Sequence, residues 1–152
     1  MELCPLPEEF EAILGSKLDY VCQITVSSIQ TPDLHSIQYQ MARMFNFPSQ
    51  SSLQHVFGNE IMMSSLLEDV MATNNTEVHW PQILAFYIYA QFLLVLSSDN
   101  CDSKILNILD QVEAGLNPFL LILAKTIIGL DNFSETMRFS GSSMLLEVSF
   151  LT

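Results

Sequence analysis

The side chains of this 152-residue sequence whose types could carry acid–base, nucleophilic or metal chemistry are three histidines, three cysteines and 17 acids. His35, His55 and His79 share no metal-ligand spacing. Neither H-E-x-x-H nor a clustered Cys/His pattern occurs, so a solvated or helix-capping role is expected for each. Cys4, Cys22 and Cys101 lie far apart, with neither the even count of a disulfide framework nor the paired spacing of a zinc site, and read as reduced, packed thiols. Glu8, Glu9, Glu11, Glu68 and Asp69 resemble helix-start or solvated-face charges more than a catalytic pair, which needs opposing positions across a cleft. G-x-S-x-G, P-loop and dinucleotide patterns are missing as well. The expectation is a protein that is not an enzyme and that uses no metal and no cofactor.

Composition narrows the partners. Apolar residues make up 49% of the chain and charged residues 14%, a balance that favours a packed core over disorder and leaves apolar surface to spare. Five basic residues against 17 acidic ones give a net charge of −12, which repels phosphate backbones. Nucleic acid and anionic lipid are therefore poor partners. The length fits one domain over residues 1–152. Met1-Glu2-Leu3-Cys4-Pro5 lacks the basic and apolar pattern of a secretory signal, so Asn74-Asn75-Thr76 and Asn132-Phe133-Ser134 read as chance glycosylation sequons. No run reaches the roughly 18 apolar residues of a membrane span. The expected location is cytoplasmic, without a transmembrane anchor.

The elements that must position any site follow from periodicity. Pro7, Glu8 and Glu9 open a first amphipathic helix carrying Phe10, Ile13, Leu14, Leu18, Val21 and Cys22 at helical spacing. Thr31-Pro32-Asp33 reads as cap, first-turn proline and acid of a second, with Leu34, Ile37, Met41, Met44 and Phe45 on its stripe until Pro48. Ser49 to Gln54 is a polar connector, and Leu53, Val56 and Phe57 are expected to make one turn before Gly58. Asn59 is the expected cap of a helix whose face is traced by Met62, Leu66, Asp69 and Val70 and which ends near Thr73. Pro81 to Leu96 is apolar on nearly every face, so as a helix it must be surrounded by others. Ser98 to Ser103 connects it to a helix begun by Ile105, Leu106, Ile108 and Leu109; Asn117-Pro118 kinks or restarts the chain, and Phe119 to Ile128 is a second apolar run ended by Gly129. Two short pieces, Asp131 to Phe139 and Ser143 to Phe150, close the chain. The expected fold is an all-α bundle in which an apolar central helical hairpin is surrounded by amphipathic helices.

The segment Val78-His79-Trp80-Pro81-Gln82-Ile83-Leu84-Ala85-Phe86 resembles the first homology motif of the B-cell lymphoma-2 (Bcl-2) apoptosis regulators, V-N-W-G-R-I-V-A-F, at five of nine positions. Downstream, Gly129-Leu130-Asp131-Asn132-Phe133 is similar to that family's second motif, G-W-D-x-F, with leucine in place of tryptophan, and Leu116-Asn117 falls where the family has its L-N pair. Met41-Ala42-Arg43-Met44-Phe45 stands where a degenerate third motif, A-G-D-x-F, would be, with Arg43 replacing the acid and Gln38 the usual leucine. In order and spacing these segments cover most of the chain, which resembles divergent members carried by large DNA viruses.

The resemblance implies a Bcl-2-like bundle whose hydrophobic groove takes the amphipathic homology-3 helix of pro-apoptotic relatives. Sequestering that helix would block mitochondrial permeabilisation, a stoichiometric anti-apoptotic activity in which mitochondria are reached through the partners. By position, the implied groove residues are Phe45, Leu66, Val70, His79, Gln82, Leu84, Ala85 and Tyr89. Gln82 stands in place of the arginine that pairs with the ligand's aspartate. A charge-assisted bond of roughly 1.5–3 kcal/mol thus becomes a neutral one, and a narrower ligand repertoire follows. Pro81 falls within the first turn, where a missing N–H has no intrahelical partner, and His79 stands at the cap. Trp80 is expected as an anchor between helices, and Met41, Met44, Met62 and Met63 suit either an adaptable surface or core gaps. The competing reading is a structural bundle whose spare apolar surface mates with a second copy and needs no peptide.

Overall fold

The computed structural model describes residues 22–48, 51–73, 79–93 and 99–136. The first expected helix and the last expected piece lie outside these residues. What is described is mostly helical. Helix α1 spans Leu34–Phe45, α2 Met63–Ala72, α3 Trp80–Leu93, α4 Lys104–Glu113 and α5 Phe119–Thr136. None of them is long and apolar enough to cross a membrane.

The ends of α1 show how local chemistry sets the boundaries. The Asp33 carboxylate accepts the Ser36 N–H at 2.7 Å, capping the helix two residues later than the Thr31 expected from sequence. A side-chain acceptor there satisfies an amide that has no partner inside the helix. At the other end Asn46 takes a left-handed conformation and Pro48 follows, so the helix cannot continue. Helix α4 ends differently. Gly115, with φ +90°, lets its own N–H reach the Val112 carbonyl and the Leu116 N–H reach the Gln111 carbonyl, which is the Schellman arrangement. The Asn117 side-chain oxygen then accepts the Phe119 N–H at 2.8 Å, so Asn117-Pro118 restarts the chain as α5. This helix runs through Gly129 instead of stopping there, and the second-motif residues 129–133 belong to it. One glycine costs a helix only about 1 kcal/mol, less than the packing of the turns on either side can supply.

The helical class holds, with a small antiparallel sheet not expected from the sequence. Strands β1 (Val56–Phe57), β2 (Glu60–Met62) and β3 (Asn100–Asp102) pair in the order β1-β2-β3. Phe57 pairs with Glu60, leaving Gly58-Asn59 as a two-residue hairpin loop, and Gly58 has the positive φ (+63°) that the first position of a type II′ turn requires. Val56 and Phe57 are thus strand and not a helical turn, and Asn59 is a turn residue and not a cap. In the second pairing Ile61 lies opposite Cys101, both fully buried.

The main core gathers Ile37, Met41, Met44 and Phe45 of α1 with Leu66 and Val70 of α2, Ile83, Phe86 and Ala90 of α3, and Ile105, Leu106 and Leu109 of α4. Met41 and Met44 are therefore core residues. Helix α3 packs against α1, α4, α5 and β3, yet Trp80, Leu84 and Ile88 stay exposed, so the helix is covered on most of its faces and not surrounded as its apolar sequence led one to expect. The Phe86 ring meets Phe45 edge-on at 5.1 Å, and Tyr87 donates its hydroxyl to the Met63 carbonyl at 3.2 Å. Ile24, Ile108 and Leu121 form a second cluster, and a short parallel bridge between Gln23 and Asn117 ties the segment before α1 to the α4–α5 junction.

Candidate functional site

The implied groove residues divide by burial. Phe45 and Leu66 are fully buried and Val70 is 1% exposed, so these three sit inside the main core and not on an open wall. Ala85 and Tyr89 are half-buried against the core, and burial raises the Tyr89 phenol above its usual pKa. His79 and Gln82 are partly exposed. The His79 carbonyl accepts the Ile83 N–H at 3.1 Å, which starts α3. Gln82 keeps its side-chain oxygen buried, and no described residue hydrogen-bonds it. Leu84 alone among the eight is fully in the open, 59% exposed.

Leu84 is the centre of a row that position alone did not single out. Trp80, Leu84 and Ile88 follow one another at i, i+4 and i+8 on one face of α3, all exposed, while Ile83, Phe86 and Ala90 take the inward face. Trp80, expected as an anchor between helices, is 41% exposed. Helix α2 does the same: Leu66 and Val70 point inward, and their next neighbours Leu67 and Met71, 42% and 61% exposed, point outward. Large apolar side chains grouped at helical spacing on a surface gain by being covered, roughly 25 cal/mol for each Å² removed from water. The only sequence signal for this row is the absence of any polar face on the helix that carries it.

A polar cleft of about 630 Å³ opens between α1 and α4. Arg43 spans it, donating to Asp110 at 2.7 Å and to Glu113 at 2.9 Å, and the Gln40 amide also donates to Asp110. Arg43, the residue that replaces the acid of the third motif, is therefore a clip between two helices. Among the described residues of the cleft, Arg43 is thus held by two carboxylates, and the three charges leave a local excess of one negative charge.

His55 corrects another expectation, since it is 3% exposed and neither solvated nor a cap. One ring nitrogen, Nδ1, lies 2.9 Å from the Ser65 hydroxyl, and Nε2 lies 3.0 Å from the Asp69 carboxylate, which also accepts the Gln54 amide at 2.7 Å. Serine, histidine and aspartate in hydrogen-bonding sequence invite comparison with a nucleophilic triad. A triad, however, needs a reachable serine–imidazole pair and oxyanion donors facing a substrate carbonyl. Here the imidazole is enclosed beside Phe47, at a ring separation of 6.0 Å, and the set clips the connector before β1 to α2. Among the described residues no three His, Cys, Asp or Glu side chains are grouped so as to hold a metal ion.

Comparison with protein-family models, with curated proteins and with solved structures returns no match.

Proposed function

We propose that this chain is an anti-apoptotic binding protein of Bcl-2 type that sequesters the homology-3 helix of pro-apoptotic relatives and so prevents mitochondrial permeabilisation. The observation that carries the reading is the exposed row Trp80-Leu84-Ile88, which lies within and just beyond the segment resembling the family's first motif, on a helix whose other faces are packed. An amphipathic helical ligand presents apolar anchors at three- and four-residue intervals and can lay them along such a row. Leu67 and Met71 offer a second apolar ridge on the neighbouring element of sequence. Basic residues flanking a ligand's apolar face would be steered by the net charge of −12. Gln82, neutral where the family has arginine, supplies no charge to a ligand aspartate, so the repertoire is narrow. No chemistry is performed on the ligand.

Calorimetric titration of the whole chain with a panel of homology-3 peptides tests this reading. At least one peptide binds with one-to-one stoichiometry, and Leu84→Glu weakens it by roughly tenfold or more, the cost of setting a charge against an apolar ligand face. Failure of every peptide to bind ends the proposal. The same exposed row would suit a second copy of the chain, the reading in which the protein is a self-associating structural bundle. A dimer dissolved by saturating peptide places both partners on this row, whereas a dimer found without any peptide binding favours the structural reading.

A further inference from the structure

The described residues include three side chains of fixed positive charge, Arg43, Lys104 and Lys125. Arg43 is engaged by Asp110 and Glu113. Both lysines open onto one cavity, of about 240 Å³, between the segment before α1, the start of α4 and the middle of α5. In a chain with a net charge of −12, the only two lysines described meet at a single apolar hollow.

Its lining is mainly hydrocarbon. Ile108 and Leu121 belong to the second core cluster, while Val26 and Ile128 are 71% and 53% exposed and reach solvent at its mouth. Among the described residues that line it, Asp102 is the remaining charged group. Its carboxylate accepts the Lys104 N–H at 2.9 Å and stands 3.8 Å from Nζ, a long and loosely held ion pair. Lys125 forms no ion pair with any described residue. Two lysines less one aspartate leave a local charge of +1, which one monovalent anion would neutralise.

The geometry points to a binding site for a medium-chain alkyl carboxylate, its chain against Ile108 and Leu121 and its carboxylate between Lys104 and Lys125. A bare inorganic anion would leave the hydrocarbon lining unused. A polyanion would meet the repulsion of the whole molecule. The cavity, of about 240 Å³, lies below the ~300–1,000 Å³ usual for drug-sized ligands, so an unbranched chain of several carbons fits where a drug-sized molecule or a long-chain lipid does not. The site shares no residue with the Trp80-Leu84-Ile88 row and does not depend on the function proposed for that row.

Titration of the whole chain with octanoate below its micelle concentration, followed by calorimetry and methyl NMR, tests the site. Acetate probes the need for a chain, and octanol and octylammonium probe the need for an anionic head. Octanoate binds saturably, one molecule per chain, with shifts concentrated on the Ile108, Leu121 and Ile128 methyls. The double variant Lys104→Gln/Lys125→Gln, altered only at partly exposed positions, binds it roughly tenfold or more weakly. Acetate and octylammonium do not saturate, octanol binds more weakly than octanoate, and Leu84→Glu leaves the affinity unchanged. The assignment is overturned by absent or non-saturable octanoate binding, by equal binding of octanol or octylammonium, or by full affinity in the double variant. It is also overturned if an apolar peptide with a free C-terminal carboxylate binds there and octanoate does not.

Discussion

The carboxylate of Asp99 holds the first turn of α2 through Ser64, 35 residues earlier in the chain, accepting the Ser64 N–H and the Ser64 hydroxyl at 2.8 Å each. The Asp99 carbonyl takes the preceding amide, that of Met63, also at 2.8 Å. Met62, at the cap position, offers no side-chain bond, so α2 is capped from another part of the fold.

Replacing Asp99 with alanine removes an acceptor that two Ser64 groups share. We expect a loss of about 1 kcal/mol in urea unfolding, with Asp99→Asn recovering part of it. An unchanged denaturation midpoint would refute this account of how α2 begins.

Burial separates the implied groove residues into two kinds, and mutation should too. Phe45→Ala empties a fully buried site beside Phe86 and should cost about 3–5 kcal/mol. Leu84→Ala, on the open face, should stay within about 0.5 kcal/mol of the parent protein while weakening peptide capture. Equal stability losses in thermal melts would show that α3 is seated the other way round.

Cys101 is fully buried opposite Ile61, and burial, aided by the neighbouring Asp102 charge, pushes its thiol up to about 12. The thiolate is the reactive form. Iodoacetamide at neutral pH should modify the exposed Cys22 rapidly and Cys101 only after denaturant is added, as read by peptide mass mapping. Fast labelling of Cys101 in the native protein contradicts the core assignment.

The Arg43 clip is half-exposed, at 45% for the arginine side chain and 34% and 44% for its acidic partners. Solvent screens such pairs. A double-mutant cycle on Arg43→Ala and Asp110→Ala should give a coupling of about 0.2–1 kcal/mol that shrinks as salt is raised. A larger, salt-independent coupling would mean that the pair is buried.

Acid should undo the cap of α1. The Ser36 N–H, and then the Ser36 hydroxyl, hold the Asp33 carboxyl below its usual 3.8, so the cap's stabilisation is present in full above pH 3.8 and is lost as the pH falls through the lower folded value. The stability difference between the parent protein and Asp33→Ala should therefore be constant near neutrality and close only in strong acid. A gap that closes above pH 5 in paired urea titrations would contradict the lowered carboxyl.

Much of the helical layout was legible in the residues themselves. The stripe Ile37-Met41-Met44-Phe45 and Pro48 bound α1 because spacing and ring geometry act within a few residues, although the cap fell on Asp33 and not on the expected Thr31. The uniform apolarity of Pro81 to Leu96 likewise called for a helix with others packed against it. Tertiary structure alone decided the rest. Strands of two or three residues are too short to display a period of two, so the sheet exists only through its pairing partners. Glu113 lies 70 residues from Arg43, Ser65 10 from His55 and Asp99 35 from Ser64, beyond the reach of any local pattern. The outward face of α3 was undecided for a simpler reason. A helix that is apolar all round has no amphipathic direction, so Trp80, Leu84 and Ile88 became surface only when α1, α4, α5 and β3 had packed against its other sides.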